Sequence, residues 1–238
     1  YCIVGASAKL GDDVELVAHV VVSGNVTIGA RTIVHPFAVL GGPPQHAGYR
    51  GEATSAVIGA DCLIREHATV NRGTVQGRGV TEVGDKCMLM TASHVAHDCH
   101  VAPNVTLANN ATLGGHVRIE EFVFLGGLCA VHQNCRVGAY AFIGGCAAVP
   151  ADVIPFGSAI GNHAKLAGLN IIGMKRRGLP RDAIHDLRAA YRGLFEDEEG
   201  SFQERLAKVE ATLGGRPEVK RILDFIRSDA SRTLMGAR

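Results

Sequence analysis

Tryptophan is absent from this chain, and aromatic residues supply only 5% of its 238 positions. A core without large rings has to be filled by aliphatic side chains, which suits a narrow interior. Acidic and basic residues nearly cancel, 23 against 24, so the formal charge is +1 and there is no broad basic field for nucleic acid. No apolar run has the ~20 residues of a membrane-crossing helix, and no secretory leader pattern is present. We therefore expect a soluble cytoplasmic protein with no integral membrane segment. The seven cysteines are odd in number and contain no Cys-x-x-Cys pair, so neither a disulfide framework nor a zinc ribbon is indicated. Cys87, Cys99, Cys129, Cys135 and Cys146 fall inside a repeat, where they are expected as small apolar fillers.

That repeat is the most informative feature present. Twenty-two aliphatic residues recur every six positions. They run from Val4 to Leu40, resume at Ile58, Ile64 and Val70, and continue from Val83 to Val149. A period of six fits neither a 3.6-residue helix nor an alternating strand. It fits short strands and turns wound into a parallel β-helix of hexapeptide repeats. Three steps make an 18-residue coil, and residues 18 apart stack at about 4.8 Å. Twenty-two slots then give about seven coils, a prism on the order of 35 Å long. Glycine often follows the inward residue, as at Gly29, Gly84, Gly114 and Gly126, where it is expected to ease a tight corner.

Two stretches rich in Gly, Pro and polar residues, 42–56 and 72–82, interrupt the repeat and are expected to leave the prism as loops. They are either tolerated surface insertions or functional projections from a rigid scaffold. The chain opens at Tyr1 in mid-repeat, so further coils are expected to precede it in the natural protein. We place the β-helix at 1–155, a transition segment at 156–179 and an α-helical subdomain at 180–238, all in one compact unit. Ile184, Leu187, Tyr191 and Leu194 form one helical stripe. Ser201 and Glu204 have capping-box spacing ahead of Leu206, Val209 and Leu213. Gly214-Gly215 ends that helix, and residues 217–230 read as another. A flat-faced prism of this kind is expected to form a threefold assembly.

Chemistry centres on SHVAHDC, residues 93–99. His97 lies two places past the inward Val95, so its side chain can leave the prism, and Asp98 can orient it. Gly115 stacks on His97 one coil later, leaving room for a substrate and an N–H for an oxyanion. This suits acyl transfer, with His97 taking the acceptor's proton and no Ser or Cys nucleophile required. The bland reading is that these histidines are hydrogen-bonded structural groups. The rival reading is zinc, which would need a third ligand two coils on, where Ala130 and Gln133 stand. His116 and His132 fit structural or supporting roles. A second cluster, Lys175, Arg176 and Arg177 at the end of the prism, reads either as a solvated charge run or as a pyrophosphate clamp.

The stretches NRGTVQG, HVAHDCHV, LANNATLGGHV, AVHQNC, GNHAKLAGLNI and KRRGLPRDAI, in that order, resemble the UDP-N-acetylglucosamine O-acyltransferases that begin lipid A synthesis. The resemblance runs through both loops and the helical tail. It implies a left-handed coil and a homotrimer with active sites between subunits. It also implies transfer of an (R)-3-hydroxyacyl chain from acyl carrier protein to a UDP-sugar, with no cofactor and no metal. His97 matches the general base, Asp98 its orienting group and Gly115 the oxyanion N–H. Asn71, His94, His116 and His132 match cleft positions. Asn170 matches a nucleotide contact, and Arg176 and Arg177 match residues near the phosphates. Gly145 and His163 match the region that sets chain length, and a glycine at 145 implies a long chain of about C14.

The chain also departs from that pattern. Many relatives have Asp-Leu-Lys where His46, Ala47 and Gly48 follow Gln45, and some carry Glu where Ile172 stands. Both changes fall on the acceptor side. They leave open a 3-hydroxyl acceptor or its 3-amino analogue, which would give an amide. A coenzyme A-dependent acetyltransferase of a nucleotide sugar and a non-catalytic trimeric binding protein are the other readings. An acidic carrier protein should dock on basic residues near the loops, with Arg50, Arg65, Arg72 and Arg78 as candidates.

Overall fold

The computed structural model describes residues 1–228 and 231–237. The inward aliphatics fall in strands mostly two residues long, which stack into three parallel sheets around a triangular core. The first sheet carries Val95, Leu113, Val131 and Val149 in register. The second carries Val101, Ile119 and Val137, and the third Leu107, Leu125 and Ile143. From Val22 to Val149 these slots are almost fully buried. Val4 and Leu10, at the open N-terminal end, have no coil beneath them and are exposed. Filling a slot contributes about 1.5–3 kcal/mol per side chain.

Both interruptions leave and rejoin without breaking the stack. Leu40 still pairs with Val70, and Val70 with Val95. The strands that flank the first excursion are Val39–Gly42 and Ser55–Ile58. Those that flank the second are Thr69–Asn71 and Val80–Val83. A register shift between Val70 and Asn71 turns the chain outward into the second loop.

At the corners glycine serves by its small size, and the left-handed backbone falls on other residues. Among the described residues eighteen other than glycine adopt left-handed backbone, including Asp98, His116, Asn134, Phe122 and Tyr140. Each lies three places after an inward aliphatic residue. The glycines directly after the inward residues are needed for room instead. A Cβ on Gly29 would lie 2.5 Å from Ala60 N, and one on Gly114 2.8 Å from Gln133 N. The next coil's backbone passes too close for any side chain there. Of the expected filler cysteines, Cys87, Cys99, Cys129 and Cys135 are buried, but Cys146 occupies a left-handed corner and is exposed.

After Val149 the coil continues in part. Val153 bridges to Val137, and Gly157–Ile160 pairs parallel with the third sheet. Lys165–Leu169 then folds back antiparallel and closes that sheet. Four helices follow: α1 (Ile171–Arg176), α2 (Arg181–Tyr191), α3 (Phe202–Leu213) and α4 (Pro217–Arg227). Asn170 caps α1 by accepting the Gly173 N–H at 3.0 Å. The α2 stripe of Ile184, Leu187 and Tyr191 is buried, as is Leu194 in the wider turn Arg192–Glu196 that continues it. Ser201 and Glu204 make both halves of the capping box of α3, and Pro217 opens α4. Asp229 and Ala230, at the end of the expected last helix, lie outside the described residues. The tail returns to the prism through Met235 N–H to Asp152 O at 2.8 Å. Arg136 reinforces that joint, bonded to Asp152 at 2.7 Å and lying over the Phe225 ring. Among the described residues no helix is long and apolar enough to cross a membrane.

Candidate active site

The corner between the first and second sheets gathers most of the reactive groups. His97 precedes the left-handed Asp98, and the next two coils place Gly115 and His116, then Asn134, at the same edge. The His97 Nδ1 lies 2.9 Å from Asp98 Oδ2. An ionised carboxylate can only accept, so Nδ1 carries the proton and Nε2 keeps a lone pair. The His97 side chain is 12% exposed and that of Asp98 fully buried, which leaves the imidazole as the accessible member of the pair.

Asp98 also anchors the second loop. Its oxygens accept the Thr74 N–H at 3.0 and 3.1 Å, the Thr74 hydroxyl at 2.6 Å and the Arg78 N–H at 2.8 Å. The Gly79 N–H adds a further bond at 3.2 Å. Burial would push this carboxyl up, but the bonds from Thr74 and His97 hold it below the usual carboxylate range. The second interruption is thus wrapped around the carboxylate that orients His97. Thr74 supplies two of the donors to Asp98, a contact with no signature in the residue pattern because a loop's return path leaves no periodic signal.

Two further imidazoles meet His97 edge-on. The His116 ring lies 5.0 Å away and the His46 ring 5.5 Å away. His46 comes from the first loop, so both interruptions converge on one base. Burial lowers the proton affinity of His116. Asp98 opposes that effect, while the neighbouring His97 and His46 add to it. Burial also lowers that of His94, which bonds Thr69 Oγ1 at 2.7 Å on the outer side of the first sheet. Asn71 is buried beside the same sheet, and its Oδ1 has no hydrogen-bond partner among the described residues.

His97, Asp98 and His116 bring their ligating atoms within 4.8 Å of one another. The Asp98 oxygens are already taken by backbone, hydroxyl and imidazole donors. Ala130, which stands in register with Thr112 and His94, has no ligating atom.

Gly115 is buried against His97, and its N–H has no acceptor among the described residues. His132 is not gathered into this cluster. It lies nearly two coils away, with its Nδ1 2.8 Å from the Arg232 guanidinium of the tail. Gly145 and His163 are exposed at the C-terminal end of the prism, Gly145 at the corner between the third and first sheets. The Ala164 N–H, next to His163, bonds Ala148 O at 2.8 Å.

The remaining expected residues meet elsewhere. Asn170, Arg176 and Arg177 line a cavity of about 610 Å³ against Phe122, Tyr140 and Phe142. The rings of Phe122, Tyr140 and Phe156 stack along the corner between the second and third sheets, and Arg177 lies 4.7 Å over Phe122. This cavity combines an aromatic wall with a guanidinium edge. It sits on a different corner of the prism from His97.

The four arginines considered for carrier docking are engaged within the chain. Arg72 ties the loops through Gly41 O at 2.5 Å and Tyr49 Oη at 2.7 Å. Arg50 bonds the carbonyls of Ala47 and Tyr49. Arg65 pairs with Glu66, and Arg78 with Glu82.

Residues 152–235 match a family profile described as "Udp N-acetylglucosamine O-acyltransferase; Domain 2". The chain is 56% identical over 225 residues to the acyl-[acyl-carrier-protein]–UDP-N-acetylglucosamine O-acyltransferase of Caulobacter vibrioides, covering 94% of this chain and 85% of that one. It is 57% identical to the enzyme of the same name from Azorhizobium caulinodans, covering 98% and 86%. The solved structure of LpxA from Acinetobacter baumannii superposes with a TM-score of 0.92 at 33% identity, covering 98% of this chain and 97% of that one. The fold shared with that structure is a left-handed parallel β-helix with a C-terminal helical part.

Proposed function

The chain belongs to the acyl-[acyl-carrier-protein]–UDP-N-acetylglucosamine O-acyltransferases, and from that premise we propose that His97 is the general base of the transfer. The reaction moves an (R)-3-hydroxyacyl group from acyl carrier protein to the 3-position of UDP-N-acetylglucosamine, in lipid A synthesis. The observation that carries the role of His97 is the Nδ1–H bond to Asp98, which leaves Nε2 as the acceptor on the side of the ring that faces Gly115. Nε2 takes the proton of the acceptor hydroxyl as its oxygen attacks the thioester carbonyl. The Gly115 N–H receives the oxyanion. Collapse of the tetrahedral intermediate breaks the carbon–sulfur bond, and the imidazolium returns the proton to the departing thiolate. Asp98 stabilises that imidazolium without itself taking the proton, as an orienting carboxylate does.

Asn170, Arg176 and Arg177 hold the nucleotide in the aromatic-walled cavity. Because that cavity and His97 lie on different corners of one prism, the sugar reaches the base of a neighbouring copy. We therefore assign a homotrimer, which light scattering would report as three times the 25.0 kDa chain mass. Asn71 and His94 line the cleft, His132 approaches it from the tail, and Gly145 and His163 bound the acyl groove. We also assign the reaction to the cytoplasm, a reading supported by its substrates, an acyl carrier thioester and a UDP-sugar.

The test is His97→Ala with 3-hydroxymyristoyl carrier protein as donor. Turnover should fall on the order of 100-fold or more, with nucleotide binding by calorimetry little changed. Intact turnover overturns the assignment. A second reading, amide formation on the 3-amino analogue, is favoured by His46 standing against His97 on the acceptor side. Equal amounts of the two acceptors, with products resolved by mass, separate them: an ester supports the hydroxyl reading, an amide the amino one.

A further inference from the structure

We propose that Arg118, flanked by Arg78 and Arg136, forms a phosphate-binding subsite behind the His97–Asp98–His116 cluster. A cavity of about 410 Å³ opens on the second-sheet side of the same corner, lined by these arginines with Asp98, His116 and Asn134. Its one acidic wall group, Asp98, is fully covered and already saturated by donors. Arg78 is paired with Glu82, and Arg136 with Asp152 at 2.7 Å. In the adjoining cavity, Glu120 and Glu121 are held by Arg221 at 3.3 and 2.6 Å. Arg118 makes no ion pair or side-chain hydrogen bond among the described residues, and neither does the Asn134 amide make a hydrogen bond.

The placement of Arg118 is costly for folding. It stands in register with Arg136 on the neighbouring parallel strand, where like charges repel. Arg136 offsets its charge on Asp152 and Phe225, while Arg118 has no such partner among the described residues. An uncommitted guanidinium, a second arginine one strand away and a spare amide suit the oxygens of a phosphate. This inference rests on the proposed function, because acyl carrier proteins present their thioester on a phosphopantetheine arm with one phosphodiester. Free orthophosphate offers the same chemistry.

The experiment compares wild type, Arg118→Ala and Arg118→Lys with two small donors, an acyl-phosphopantetheine and an acyl-pantetheine lacking the phosphate. Orthophosphate is titrated in parallel at constant ionic strength. In Arg118→Ala the KM for the phosphorylated donor should rise about tenfold, while that for the other donor and for the UDP-sugar stays unchanged. Arg118→Lys should recover part of the loss. If only orthophosphate affinity falls, the subsite stands and its occupant is free phosphate. Equal effects on both donors, or no change in either donor or in orthophosphate affinity, overturn the subsite. Wild-type protein that turns over no acyl donor contradicts the functional reading instead, and the orthophosphate titration still reports on the cavity.

Discussion

A Cβ placed on Gly115 would lie 2.5 Å from Cε1 and 2.7 Å from Nε2 of His97. No side chain at 115 can coexist with the observed imidazole, so the glycine preserves the position of the His97 ring. Gly115→Ala should fold normally, because the next coil stacks through Leu113 and Val131. Its kcat should drop on the order of 100-fold, since a displacement of about 1 Å at a reacting group is that costly. Single-turnover kinetics, with circular dichroism as the folding control, would check this. An alanine variant with wild-type kcat would show that the imidazole moves freely.

Asp98→Asn should be worse than the loss of one hydrogen bond. The amide has a single acceptor oxygen in place of two, while the N–H groups of Thr74, Arg78 and Gly79 all point at this side chain. Leaving buried donors unpaired costs about 1–3 kcal/mol each. The amide also permits the other tautomer of His97, which can lower kcat by as much as about 10⁴-fold. We expect a lower melting temperature and faster proteolysis within 72–79 alongside the kinetic loss. A kinetic defect with the loop fully protected would separate the two roles of Asp98.

Acid should weaken the fold in two stages. His94 and His116 bind a proton less readily in the folded chain, chiefly through burial. The unfolded chain therefore binds more protons below the free-histidine value of about 6.5. Stability from these residues is complete above that pH and is lost as pH falls towards their lower folded values. Asp98 is also depressed, so its contribution is complete above about 3.9 and fades as pH falls through its folded value. Urea midpoints between pH 8 and 5 should decline, and His116→Asn, whose residue tolerates the left-handed corner, should reduce the slope. An unchanged slope in that variant would remove His116 from the account.

Gly145 is exposed, and a Cβ there would approach only Gly127 O, at 3.3 Å. A larger side chain can therefore project from the prism once that carbonyl gives by a few tenths of an ångström. Gly145→Met should shift donor preference from about C14 towards shorter chains, read as the ratio of kcat/KM for C14 and C10 carrier proteins. A ratio that does not move would place the end of the acyl groove elsewhere.

Much of this site was legible before any coordinates. The six-residue spacing alone puts Gly115 on His97, because each coil has a fixed length of 18 residues and stacking is direct. Spacing arithmetic fails where the coil length changes. Thr74 and His46 reach the base from the two interruptions, whose paths depend on bonds to Asp98 and Arg72. The corner glycines are legible only in part: the pattern allows either backbone freedom or small size, and the structure uses their size, whereas the left-handed turn falls two places later, on residues such as Asn134 and Tyr140. The difference is between backbone strain, which composition hints at, and proximity of the next coil, which only packing reveals.

The six-residue period is enough to specify a prism, though not its hand: slots filled by Val, Ile or Leu wind into short strands, and burial of those slots stabilises each coil on its neighbour. It also determined that His97, Asp98 and Gly115 share an edge. Folding in three dimensions brings both loops onto His97, turns His132 to the tail and opens the aromatic-walled cavity on another corner. Those outcomes depend on hydrogen bonds and ring contacts between segments with no common period, and such contacts are set when the whole chain has folded.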